Sequence, residues 1–149
     1  MSYIQSLHHI IIRTKYSENV LPIEHSEELY RYIWGYIKNK KSFLYRINGM
    51  PDHIHILVGI HSTIALSDFV KELKTSTNSW IKNSGKFPNF KSWGEKYGAF
   101  TIRYQQKDTV IEYIKNQREH HKTVSFKEEY RRIITENGID VDEKYFLTD

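Results

Sequence analysis

The chain has 149 residues, of which 39% are hydrophobic and 27% charged, with no cysteine and a formal net charge of +4. That is enough for one globular domain with a real core, and the lack of cysteine excludes disulfides, thiolate metal sites and cysteine nucleophiles while fitting a reducing compartment. With no apolar run of about 18 residues and no charged-then-apolar leader, neither a membrane span nor secretion is expected, and the expected location is cytoplasmic.

The charge is uneven. Residues 1–125 carry 18 Lys and Arg against 11 Asp and Glu, whereas residues 126–149 carry 4 against 7. A basic body with an acidic tail suits a polyanionic partner for the body. Eleven tyrosines, seven phenylalanines and three tryptophans, many beside lysines, would suit single-stranded nucleic acid, whose bases stack and whose phosphates need cations. An ordinary basic domain with surface tyrosines has the same composition.

"LHHIIIRTKY" (7–16) reads as a first strand, with a β-branched run at Ile10, Ile11 and Ile12. After a break at Leu21–Pro22, Ser26 precedes a helix in which Leu29, Ile33 and Ile37 recur at helical spacing. "SFLYRING" (42–49) alternates as a second strand, and Met50–Pro51–Asp52 forms a tight connection into a third, "HIHILV". Residues 66–83 predict a second helix with a Ser67 cap, its inner face formed by Phe69, Val70, Leu73, Thr77 and Trp80, and Gly85 ends it. "KFPNFKSWGEKYG" (86–98) reads as a loop and "AFTIRYQ" (99–105) as a fourth strand. Asp108 is placed as the cap of a third helix running through "TVIEYIKNQREHH", and Ser125 with Glu128 forms a capping box for a last short helix ending at Asn137–Gly138. No repeat, low-complexity segment or linker is evident. The order β-α-β-β-α-β followed by helices predicts an α+β, ferredoxin-like fold: a split βαβ, RRM-like antiparallel sheet with helices on one face. One domain over 1–149 is expected, with a core at about 7–121 and a helical extension at about 125–149.

Within "PDHIHILV" (51–58), His53 and His55 lie on the strand face opposite Ile54 and Ile56, which the fold would leave open. The pair is either a polar decoration of a half-exposed strand or half of a metal site. Two imidazoles need a third protein ligand. The third helix offers one. Tyr113 and Gln117 are four residues apart on one helical face, flanking the apolar stripe of Val110, Ile111 and Ile114. Gln117 brings an amide oxygen suited to Mg²⁺ or Mn²⁺ beside imidazoles, and Tyr113 brings a phenol that can attack phosphorus.

With these residues in this order, the chain resembles the single-tyrosine HUH transposases, small insertion-sequence enzymes acting on single-stranded DNA, and their REP-associated relatives. The resemblance covers most of residues 7–121: the strand ending in "TKY", "PDHIHILV", "LSDFVKELKTSTNSW", "SWGEKYGAF" and "VIEYIKNQ". It implies that His53, His55 and Gln117 hold a divalent ion, Mg²⁺ or Mn²⁺, and that Tyr113 is the nucleophile. It also implies a covalent 5′-phosphotyrosine intermediate, a free 3′-hydroxyl, recognition of hairpin single-stranded DNA, and a homodimer in which one subunit's tyrosine helix can complete the partner's site.

Other residues have blander alternatives. Lys71, Lys74, Lys82, Lys86, Lys91 and Lys96 would track phosphates or simply be solvated. Trp93 and Tyr97 would stack on bases or pack a loop. Asp52 would orient a histidine or make the turn. His8, His9, His25 and His61 read as surface or strand-end residues, and His120 stays outside the metal set. The acidic extension departs from the family pattern and could dock on the body through Tyr130, Ile133 and Ile134. Two His-x-Thr pieces, "HSTI" (61–64) and "HKTV" (121–124), raise a two-histidine phosphodiesterase, but their middle residues are Ser62 and Lys122 and the second sits at a helix end, so that reading is set aside. A binding module that stacks bases on the sheet would need aromatics where this sheet has histidines. A domesticated or inactive relative that binds or processes hairpin DNA or RNA would keep every site residue and stays open.

Overall fold

The computed structural model describes residues 2–149. Its order is β1 (Leu7–Thr14), α1 (Ser26–Asn39), β2 (Phe43–Met50), β3 (His53–Gly59), α2 (Leu66–Ser84), β4 (Trp93–Ile102), α3 (Lys107–Lys115), α4 (Gln117–His120) and α5 (Phe126–Glu136). The strands lie in the order β2-β3-β1-β4, all antiparallel. This is the split βαβ arrangement, as the sequence predicts.

Strand alternation divides the sheet into two chemically different faces. Ile10 and Ile12 of β1 and Ile54, Ile56 and Val58 of β3 pack with Leu29, Ile33 and Ile37 of α1 and Phe69, Val70, Leu73 and Ile81 of α2. The opposite face carries His9, Ile11 and Arg13 from β1 and His53 and His55 from β3. It is not left open. Phe126, Tyr130 and Ile133 of α5 pack on Ile11 and Phe100 as a second, smaller core. Burial of apolar surface on both sides explains why β3 is buried along nearly its whole length.

Several boundaries differ from the sequence reading. Ser26 and Ser67 lie inside the first turns of α1 and α2, with His25 and Ala65 at the N-cap positions. The Ser26 hydroxyl donates instead to the Ile23 carbonyl, at 2.7 Å. Ile81 rather than Trp80 lies on the buried stripe of α2; Trp80 stacks on Tyr32 at a centroid distance of 5.2 Å. The aromatic stretch expected as a loop already belongs to β4 from Trp93, because Thr14 pairs with Trp93 and Ile12 with Tyr97. Asp108 lies in the first turn of α3, and the expected long third helix breaks at Asn116 into α3 and α4. Gly85 ends α2 at φ 72°, and Ser125 accepts from the Glu128 amide at the start of α5, both as expected.

The β2–β3 turn is clamped from below. Val20 and Leu21 amides donate to the Pro51 carbonyl, and the Thr14 amide donates to the Asp52 carbonyl, at 3.0–3.1 Å. This fixes the start of β3, where His53 stands. Gly49 makes the close approach possible: a Cβ there would lie 2.3 Å from the His53 carbonyl oxygen and 2.8 Å from Ile54 Cα. Backbone cannot yield as a side chain does. Gly49→Ala should therefore cost about 3 kcal/mol or more, the upper range for overpacking. Urea unfolding measures this, and an unchanged midpoint would mean that the hairpin has room the contacts deny.

Candidate metal and tyrosine site

The polar cluster lies between β3, the α3–α4 segment and α5. His53 and His55 project from β3 as an i, i+2 pair, and both are fully buried. The chain bends at Asn116 between Tyr113 and Gln117, yet both still reach the cluster. Gln117 is buried, with Oε1 3.3 Å from His53 Nε2. Tyr113 is half-buried, its ring 5.9 Å from that of His55. All four residues singled out by spacing are therefore brought together within one chain.

Five further residues share the site. Glu129, from α5, is fully buried. Its Oε1 lies 3.1 Å from His55 Nε2, 3.5 Å from His53 Nε2 and 3.0 Å from His121 Nε2. Its Oε2 accepts from the Gln117 amide at 2.8 Å and from the Tyr113 hydroxyl. Donor atoms of His53, His55, His121 and Glu129 all lie within 4.8 Å of one another. His9, read as a strand-end residue, sits behind His55, with Nε2 2.8 Å from His55 Nδ1. His120 lies nearer the rim, 3.5 Å from Glu129 Oε2. Asp52 both makes the turn and orients His53: its Oδ1 is 2.7 Å from His53 Nδ1.

The electrostatics follow from burial around one carboxylate. Burial alone would raise the Glu129 pKa, but hydrogen bonds from His121, His53 and His55 reverse this and hold it far below the usual carboxylate range. Burial lowers His55 to about 4 against the pull of Glu129, and burial together with the charge of His55 lowers His9 to about 3. His53 is desolvated too, but its bonds to Asp52 and Glu129 outweigh that and raise it. Burial, then the Glu129 hydrogen bond and charge, push the Tyr113 phenol above its ordinary value.

The residues named for nucleic-acid contact divide. Trp93 is in the core and donates its indole N–H to Thr77 at 2.8 Å, so no base can stack on it while the fold is intact. Lys74 is tied down, donating to the Gly94 and Glu95 carbonyls at 2.7 and 2.9 Å and lying over the Tyr97 ring. Lys71 is exposed and Tyr97 half-buried. Lys96 donates to the Tyr145 carbonyl and the Thr148 hydroxyl, so the tail already uses it.

In metal-free protein the lowered histidines give a defined acid response. The unfolded chain binds a proton at His9 and His55 near pH 6.5, whereas the folded chain binds it only near 3 and 4. Stability must then fall as pH drops from about 6.5 toward 4, by up to about 1.4 kcal/mol per pH unit for each group. His53 does not offset this, because the stability from its raised pKa is fully present below 6.5. Chemical denaturation in chelator across pH 7 to 4 tests it; a flat profile would show these imidazoles to be solvated.

The family model described as "Transposase IS200 like" matches residues 2–117. Among curated proteins, none matches the chain. A protein of Deinococcus radiodurans assigned as a transposase is 26% identical, with a TM-score of 0.62 over 78% of this chain and 93% of that one. A REP-associated tyrosine transposase, solved bound to a REP hairpin, is 15% identical, with a TM-score of 0.62 over 83% of this chain and 73% of that one, a likeness of fold. The family match spans the whole sheet, the histidine pair, Tyr113 and Gln117, and the chain belongs to the IS200-like transposase family.

Proposed function

We propose that the chain cleaves and rejoins single-stranded DNA through a covalent 5′-phosphotyrosine intermediate on Tyr113, with a divalent ion, Mg²⁺ or Mn²⁺, held by His53, His55 and Gln117. The observation that carries this reading is the hydroxyl of half-buried Tyr113 standing against a buried cluster of imidazoles, an amide and a carboxylate. The donor set fits an ion: imidazole nitrogens and a carboxylate oxygen lie within 4.8 Å of one another, with the Gln117 amide oxygen 3.3 Å from His53 Nε2. Such an ion, when bound, offsets the negative charge of the phosphate oxygens and polarises the phosphorus.

The chain's own residues supply the remainder. Tyr113 Oη attacks the phosphorus; the new O–P bond forms as the P–O3′ bond breaks. Glu129 Oε2, which accepts from the hydroxyl, orients it, and the phenolic proton leaves to solvent as the new bond forms. The departing 3′ oxygen takes a proton from solvent and becomes a free hydroxyl. Attack of a 3′-hydroxyl on the phosphotyrosine reverses these changes, and because the ester keeps the bond energy no nucleotide is consumed. Arg132, exposed, donates to Tyr113 Oη at 3.2 Å, so a guanidinium waits where the scissile phosphate would arrive.

A hairpin substrate is supported by the likeness in fold to the hairpin-bound transposase and by the basic balance of residues 1–125. Tyr113 reaches the histidines of its own chain, so the residues of one site do not require a second copy. A homodimer would serve to hold two DNA ends.

The test mixes protein, or its Tyr113→Phe variant, with labelled single strands carrying the hairpins that flank its gene, in Mn²⁺, Mg²⁺ or chelator. A denaturing gel should show a protein–DNA adduct that needs the metal and is at least about a hundredfold weaker in the variant, the scale of losing a nucleophile. Cleavage that persists in the variant would remove Tyr113 from this role. Tight binding with no cleavage by either protein would favour a relative that binds hairpins without cutting them.

A further inference from the structure

We propose that His121 and Glu129, supplied by the segment after residue 117, join His53, His55 and Gln117 around the ion, and that this set selects Mn²⁺, Co²⁺ or Zn²⁺ over Mg²⁺. The inference rests on the reading of the cluster as a metal site and adds ligands lying beyond the family match, which ends at residue 117.

The first argument is the tautomer of each ring. His53 Nδ1 is 2.7 Å from the Asp52 carboxylate, and His121 Nδ1 is 2.7 Å from the Val124 carbonyl oxygen. Neither acceptor carries a proton, so each ring donates from Nδ1, and the lone pair of the neutral ring is at Nε2. His55 Nδ1 shares one proton with His9 Nε2, at 2.8 Å, and either ring can be the donor. All three Nε2 atoms turn inward on Glu129 Oε1, at 3.0–3.5 Å. With Nδ1 of His53 and His121 donating, the neutral rings turn two lone pairs on an anionic oxygen, a repulsion relieved by positive charge among them, either a ring proton or an ion. Protons on all three rings would place three like charges around the same point. One divalent ion satisfies every donor at once.

The second argument is chemical class. Three imidazoles and a carboxylate are a borderline, nitrogen-rich set, which suits Mn²⁺, Co²⁺ and Zn²⁺. Mg²⁺ demands oxygen ligands and gives up its water reluctantly. His53, His55 and Glu129 are fully buried, so little room remains for a water shell. Gln117 Oε1 faces the same nitrogens, 3.0 Å from His121 and 3.3 Å from His53, and supplies the one neutral oxygen.

The test needs no DNA. Titration of the chelator-treated full chain with Co²⁺, followed by its visible absorption, and with Mn²⁺ and Mg²⁺ by calorimetry, should give one site at least a hundredfold tighter for Co²⁺ and Mn²⁺ than for Mg²⁺. Glu129→Gln should weaken Co²⁺ at least tenfold and change the absorption bands, and His121→Gln should do likewise. Because either variant could loosen α5, hydrogen exchange on the unaltered protein provides a second reading: Mn²⁺ should slow exchange over both 53–59 and 126–136. Slowing at 53–59 alone, with Glu129→Gln binding as tightly as the parent, would overturn the tail ligands and leave the histidine pair as the site. A Mg²⁺ preference would overturn the selectivity. Binding that also survives His53→Ala, or no binding of any of the three ions, would overturn the metal reading itself.

Discussion

Burying Glu129 is the constraint around which the rest is arranged. A carboxylate taken out of water costs several kcal/mol unless it is paired and hydrogen-bonded. Here the compensation comes from every direction: three imidazoles on Oε1, an amide and a phenol on Oε2. Those partners belong to β3 and to the α3–α4 segment, and Glu129 itself to α5. One buried charge therefore aligns three elements, and the bend at Asn116 lets α4 follow the cluster instead of continuing the axis of α3.

The sheet separates support from chemistry. Its α1–α2 face is continuous aliphatic and aromatic packing, whose rigidity holds the i, i+2 spacing of His53 and His55. Its other face is only partly apolar, with Ile11 and Phe100 beneath Phe126, Tyr130 and Ile133. Gly98 is a socket in that face: a Cβ there would come within 2.8 Å of the Tyr130 hydroxyl oxygen. Farther along, Arg13, buried on the same face, is held by the Thr148 carbonyl and by Asp149, whose carboxylate also accepts from the Glu95 and Lys96 amides. The acidic tail thus lies on basic groups of the body, which is where the charge asymmetry between residues 1–125 and 126–149 finds its use.

Much of this was legible from local pattern. Alternation in β3 placed the histidines opposite the isoleucines, and four-residue spacing put Tyr113 and Gln117 together, since those relations depend on backbone geometry alone. Capping serines were misplaced by a residue or two because neighbouring carbonyls competed for their hydroxyls, as Ile23 does for Ser26. The start of β4 was hidden by lysines, glycines and a proline that resemble a loop; pairing with β1 decides it. Glu129 could not be found by spacing, for it meets His55 across 74 residues of sequence. His121 did leave a signal: it stands one turn beyond Gln117, at the same four-residue interval that singled out Tyr113.

A carboxylate that comes from α5 makes ion occupancy and tail docking two sides of one equilibrium. If the ion favours the docked tail by some factor, the docked tail favours the ion by the same factor, because linkage is reciprocal. A DNA strand that displaces α5 as it enters would thereby loosen the ion, and a tightly held ion would resist the strand. Ion binding and the opening of α5 would then be opposed, although a strand once seated meets the ion through its phosphate.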